Sequence, residues 1–186
     1  MAQRVCPVWI GYFLISPIRR MIHNPKAILG PYAREGMTVL DFGSAMGYFS
    51  VPLARMVGPS GKVICVDMQE GMLKRLERRA SEAGMASRME IRLCQQTSLA
   101  LGEYAGKIDF VLAFAVVHEV PDHPRLFREL AALLKPLGSL LVAEPKGHVS
   151  EDDFVRTVSV AEQQGFRVVG RPRILRSRAV LLKKVP

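Results

Sequence analysis

Residues Val39–Ser50 read VLDFGSAMGYFS: an apolar run, an aspartate, two glycines four residues apart, then an aromatic pair. A strand ending in a glycine turn that opens a helix begins a ligand-binding crossover, because glycine lets the backbone turn sharply and lie close to a ligand. Asp41 is the informative residue. A turn that holds phosphates turns backbone N–H groups and a helix N-terminus toward an anion, and a carboxylate there would repel it. Gly43 and Gly47 also lack the Gly-x-Gly-x-x-Gly spacing of a dinucleotide turn.

Working outward, apolar runs with β-branched or aromatic content predict strands at Met37–Phe42, Lys62–Asp67, Met89–Cys94, Ile108–Phe114 and Ser139–Glu144. Helical patterns fall between them at Gly47–Val57, Gln69–Gly84 and Asp122–Lys135. In the last, Leu126, Phe127, Leu130, Leu133 and Leu134 recur at helical spacing, Asp122 caps the start, and Pro136-Leu137-Gly138 stops it. This alternation predicts right-handed crossovers and a mainly parallel sheet covered on both faces. Ser150 is then expected to cap a helix whose first turn is Glu151-Asp152-Asp153, closed by Gly165. The turn around Arg171-Pro172-Arg173 is too short for a crossover, so the strands Phe166–Gly170 and Ile174–Lys183 should be antiparallel. The expected fold is α/β, a doubly wound, Rossmann-like, mostly parallel sheet ending in an antiparallel hairpin.

The 186 residues fit one domain, and a chain of that length buries roughly 70% of its unfolded surface. About half the residues are apolar and no repeat or low-complexity run occurs, which disfavours disordered and solenoid classes. The net charge of +9 permits an acidic partner. Its basic residues cluster at Lys74–Arg79, with Arg88 and Arg92, and at Arg167–Lys184. A solvated helix face plus exposed strand positions is the simpler account, and few aromatics interleave to stack bases, so nucleic acid is disfavoured. Cys6, Cys65 and Cys94 have no metal-ligand spacing and read as reduced thiols of a cytoplasmic protein. The N-terminal run VCPVWIGYFLISPI holds two prolines and falls short of the ~20 residues that span a bilayer. It reads as part of a cap over residues 1–30, laid on a domain of residues 31–186, with Trp9, Tyr12, Phe13 and Leu14 roofing an apolar pocket.

Ligands of open parallel sheets bind at the carboxyl ends of the strands. Four features converge there. They are the Asp41–Gly47 turn; Asp67, twenty-six residues after Asp41, where an acid accepts ribose hydroxyls; Gln95-Gln96, whose amides suit an adenine edge; and AFAVVHEVPD at Ala113–Asp122. S-adenosylmethionine has a ribose but no phosphate, and carries an ammonium and a sulfonium, so beside it Asp41 attracts where it would repel a pyrophosphate.

On these residues the chain from Lys26 to Lys184 resembles the class I S-adenosylmethionine-dependent methyltransferases, in particular the small type 11 and ubiquinone/menaquinone-biosynthesis-like domains. VLDFGSAMGYFS resembles their first motif, Asp67 their ribose acid, IDFVLAFAVVHEVPD their fourth-strand motif and LLKPLGSLLVAEP the segment around their fifth strand. The resemblance implies a seven-stranded sheet with its last strand antiparallel. It implies that Gly43, Ser44, Ala45 and Gly47 line the methionine moiety, while Asp41 orients that loop and reaches the amino group, directly or through water. Asp67 would hold the ribose, Met68 flank the adenine, and the backbone near Ala113 meet the methionyl amine. Ala45 stands where the family often has a glycine, and Gln95 where it often has an aspartate on the adenine amine.

A sulfonium is already activated, so positioning supplies much of the rate and a base is needed only where the accepting atom must shed a proton. His118 and Glu144 are the expected catalytic residues. Glu119 reads as ordering the turn before Pro121, His148 as a loop residue, and His23 and His123 as surface residues. No metal is expected, since no His/Asp/Glu set has closed-site spacing. Neither an Asp/Asn-Pro-Pro-aromatic motif nor a Pro-Cys nucleophile is present. The expected activity is methyl transfer to a small, partly apolar acceptor. The alternatives are RNA or protein methylation, or a non-catalytic S-adenosylmethionine-binding module; a dinucleotide oxidoreductase ranks last.

Overall fold

The computed structural model describes residues 22–185. In chain order the elements are α1 (Pro25–Leu29), β1 (Thr38–Phe42), α2 (Ser50–Met56), β2 (Lys62–Asp67), α3 (Glu70–Glu82), β3 (Met89–Leu93), β4 (Ile108–Phe114), α4 (His123–Leu133), β5 (Leu134–Pro145), α5 (Glu151–Gln163), β6 (Phe166–Gly170) and β7 (Ser177–Lys184). The seven strands are ordered β3-β2-β1 in the part of the chain up to Cys94 and β4-β5-β7-β6 in the part after it. Two compact units meet in sequence at Cys94 and Gln95.

In the first unit β2 pairs in parallel with β1 and β3. Val39, Leu40, Val63, Ile64 and Val66 are fully buried. A strand covered on both faces reads as a continuous apolar run, which is why VICV carries no alternation. Helix α3 turns Met72, Leu73, Leu76 and Ala80 inward. Its outer side pairs Lys74 with Glu70 and Arg78 with Glu82 at i,i+4. Arg79 departs from the solvated face expected for this cluster: its guanidinium is half-buried and donates to the Met46 carbonyl.

In the second unit β4 and β5 are parallel, while β7 runs antiparallel to both β5 and β6. The short Arg171-Pro172-Arg173 connection leaves no other geometry. Helix α4 buries Leu126, Phe127, Leu130 and Leu133. It ends two residues before its expected limit, because Leu134 is already extended (ψ 139°) and pairs with Ile108. Pro136-Leu137-Gly138 therefore lies inside β5, where the register against β4 shifts and Leu137 takes φ +62°.

Residues 1–21, the greater part of the expected cap, with Trp9, Tyr12, Phe13, Leu14 and Cys6, lie outside the described residues. What is described of it includes α1, started by the Asn24 side chain accepting the Lys26 N–H at 3.0 Å and anchored by fully buried Leu29. Among the described residues no helix is long and apolar enough to cross a membrane, and no group of three or more His, Cys, Asp or Glu could hold a metal ion. Cys65 and Cys94 are buried free thiols, as expected.

Candidate functional site

The glycine turn of the first unit is held mainly from β2 and α3. The Gly43 and Ser44 N–H groups both donate to the Val66 carbonyl, at 2.9 and 3.0 Å, and the Ala45 N–H donates to Asp67 Oδ2 at 2.9 Å. Asp67 Oδ1 accepts the Gln69 N–H at 2.9 Å at the start of α3. Each Asp67 oxygen thus holds one backbone bond and keeps lone pairs for a further donor. Burial raises the Asp67 pKa, and the backbone N–H groups of Gln69, Ala45 and Met68 offset only part of that rise. Gly43 and Gly47 take φ +74° and +77°. Ala45 takes φ +45°, a conformation that costs an L-residue with a side chain about 1–2 kcal/mol, and such strain is characteristic of ligand-binding turns.

Asp41 is 3% exposed, and its carboxylate accepts the Ser50 hydroxyl at 2.5 Å, so it ties β1 to the first residue of α2. Its negative charge also acts on the Cys65 thiol, whose pKa is raised first by burial and then by Asp41. Ser44, 5% exposed, carries a buried hydroxyl with no hydrogen-bond partner among the described residues. A buried hydroxyl is normally satisfied, and an orphan inside a strained glycine turn is what a site shaped for a polar ligand looks like. The turn therefore fits the expected cofactor.

In the second unit Glu144, near the end of β5, is 1% exposed. Its Oε1 accepts the Val116 and Val117 N–H groups at 3.2 and 2.9 Å, and its Oε2 meets His118 Nδ1. One buried carboxylate thus holds both the turn after β4 and the imidazole that the turn presents. Burial lowers the His118 pKa, but the Glu144 hydrogen bond, the Glu144 charge and the Glu119 charge outweigh it, leaving the value raised. His148 stands edge-on to His118, with ring centroids 5.8 Å apart. His123 is not the surface residue expected: it is half-buried, its Nε2 bonds the Val117 carbonyl at 3.0 Å, and its ring packs on Phe127.

Ala113 is fully buried on β4, and two residues on, Ala115 takes φ +58° while donating to the Ala143 carbonyl at 2.7 Å. Gln95 is exposed and bridges Ser98. Its loop is held from α4 by two residues that sequence reasoning missed. Arg125 donates to the Gln96 carbonyl at 2.5 Å, and Glu129 accepts the Leu99 N–H at 2.8 Å while pairing with Arg125. Their i,i+4 spacing is the only signal the sequence carries for them.

The family model described as "Methyltransferase domain" matches residues 33–169. Among curated relatives, the ubiquinone/menaquinone biosynthesis C-methyltransferase UbiE of Pasteurella multocida is 32% identical over 111 residues, 60% of this chain and 41% of that one. The protein of the same name from Escherichia coli O1:K1 is 32% identical over 111 residues, 60% of this chain and 43% of that one. The chain thus spans about two-fifths of the length of the curated relatives it matches. A SAM-dependent methyltransferase of known structure from Aquifex aeolicus superposes with a TM-score of 0.86 at 24% identity, covering 97% of this chain and all of that one.

Proposed function

The chain belongs to the class I S-adenosylmethionine-dependent methyltransferases, and from that premise we propose that it methylates a small, partly apolar acceptor whose accepting atom sheds a proton to His118. The observation that carries this reading is the His118–Glu144 pair. Bound at the glycine turn, S-adenosylmethionine supplies an electrophilic methyl group on a sulfonium. Gly43, Ser44, Ala45 and Gly47 hold its methionine end, with Asp41 fixing the turn, and the lone pairs that Asp67 keeps accept the ribose hydroxyls. Met68 and Gln95 serve the adenine, and the backbone at Ala113 the methionyl amine. With Nδ1–H donated to Glu144, the neutral His118 imidazole leaves Nε2 as an acceptor, and the carboxylate stabilises the imidazolium once the proton has arrived. Glu144 acts through His118 and is a positioning residue.

Support for a small acceptor comes from the name of the curated relatives, C-methyltransferases of quinone biosynthesis. Turnover against a panel of small quinol, phenol and amine acceptors, read as S-adenosylhomocysteine released, tests the proposal. For an accepted substrate, His118→Ala should cut kcat by about 10²–10⁴-fold with S-adenosylhomocysteine affinity unchanged. Full turnover by that variant sinks the base assignment. A second reading, methylation of RNA, is favoured by the +9 charge alone.

A further inference from the structure

Arg79 lies in the last turn of α3, yet its Nη1 donates to the Met46 carbonyl, thirty-three residues earlier in the chain. Its neighbour Arg78 sits 73% exposed and pairs with Glu82 at 3.4 Å. Arg79 instead gives up part of its hydration: burial lowers its pKa, offset only in part by the Glu82 charge. Partial burial of a guanidinium costs free energy, which its hydrogen bond to the Met46 carbonyl offsets.

The Met46–Gly47 peptide is what it organises. The C=O and N–H of a planar trans peptide point in opposite directions, so holding the Met46 carbonyl also aims the Gly47 N–H. That N–H donates to the Ser44 carbonyl at 2.8 Å and closes the turn in which Ala45 is strained and the Ser44 hydroxyl has no partner among the described residues. Leu76, three residues before Arg79 on the same helix face, fills the space beside Gly47, where an added Cβ would lie 2.1 Å from its Cδ1. Asp67, the acceptor of the Ala45 N–H, also accepts the N–H of Gln69, the residue that starts α3. The Ser44–Gly47 turn is therefore bonded to one end of α3 through Asp67 and to the other through Arg79.

We propose that Arg79 is a positioning residue for the cofactor: through the Met46 carbonyl it holds the Ser44–Gly47 turn in the conformation that presents the Ser44 hydroxyl to the methionine end of S-adenosylmethionine. This rests on the reading of the glycine turn as the cofactor cradle. The test is calorimetric titration of S-adenosylhomocysteine into the intact chain, with thermal melts run in parallel. Arg79→Met should weaken binding about 10–100-fold, the range for losing a charged hydrogen bond to a buried carbonyl. Arg79→Lys, whose ammonium donates to a single carbonyl, should recover most of that loss, and Arg78→Met should stay within about twofold of wild type. In turnover, the Arg79→Met defect should fall on KM for S-adenosylmethionine, with kcat at saturation retained. If Arg79→Met does not fold, Arg79→Gln replaces it, with a smaller loss in the same direction. A variant that melts earlier but binds with wild-type affinity overturns the proposal and leaves Arg79 a role in stability alone. Wild-type protein that binds no S-adenosylhomocysteine overturns the cradle, and the proposal with it.

Discussion

His118 shows how neighbours set the working charge of one residue. Burial disfavours its imidazolium, and the hydrogen bond and charge of Glu144, with the charge of Glu119, favour it more strongly, so its pKa lies above the ordinary 6.5. A pKa raised in the folded state means that the protonated pair contributes its full stability below the ordinary histidine value and loses it as pH rises through the raised one. A base must be neutral, so activity runs the opposite way. The ascending limb of kcat/KM against pH should lie above 6.5, and Glu144→Gln should move it down by removing the charge while keeping the burial. A limb that stays in place would take His118 out of the titration. His118 and Glu144 were legible as titratable residues beside strand ends. Arg79 and His123 were not, because whether a polar side chain is solvated or buried depends on what packs against it.

Helix α5 shows what a local pattern can specify. Ser150 Oγ accepts the Asp153 N–H at 3.1 Å and donates to the Asp153 carboxylate at 2.5 Å, a reciprocal cap close to the capping box. The Ser150 hydroxyl and then Arg156 hold the Asp153 carboxyl below its ordinary range. Ser150→Ala should destabilise the fold by about 1 kcal/mol, read as a lowered denaturant midpoint at unchanged slope, with S-adenosylhomocysteine affinity intact. A cap uses residues within four positions of each other, so it is readable from sequence. The α4–β5 boundary is not. There Leu133-Leu134 continues the helical apolar spacing, and only the pairing of Leu134 with Ile108 turns it into strand.

Across the chain the +9 charge is uneven. From Phe166 to Val185 there are seven basic residues and no acid. Arg167 and Lys183 stand opposite each other in the β6–β7 ladder, a like-charge pairing that disfavours the hairpin. Such a surface attracts polyanions without reading their sequence, and that attraction is screened by salt. With a small acceptor as substrate, RNA retained on filters at low salt should be lost by about 0.2 M salt, and competitor RNA should leave turnover unchanged at about 0.15 M. Saturable, sequence-dependent inhibition persisting at that ionic strength would move the assignment to RNA methylation.

The sequence by itself determined the crossovers, the closing antiparallel hairpin, and the placing of Asp41, Asp67, His118 and Glu144 by strand ends. Periodicity, glycine spacing and connection length are local properties of the chain, and those features depend on little else. Only the tertiary structure decided that the Ser44 hydroxyl has no partner among the described residues, that Asp67 holds the backbone of Ala45, that Arg79 grips Met46 and that Glu144 grips His118. Three of these are hydrogen bonds between residues 22 to 33 positions apart, and the fourth is the lack of one. Such bonds form or fail according to how packed elements bring side chains within about 3 Å, a distance that no local pattern encodes.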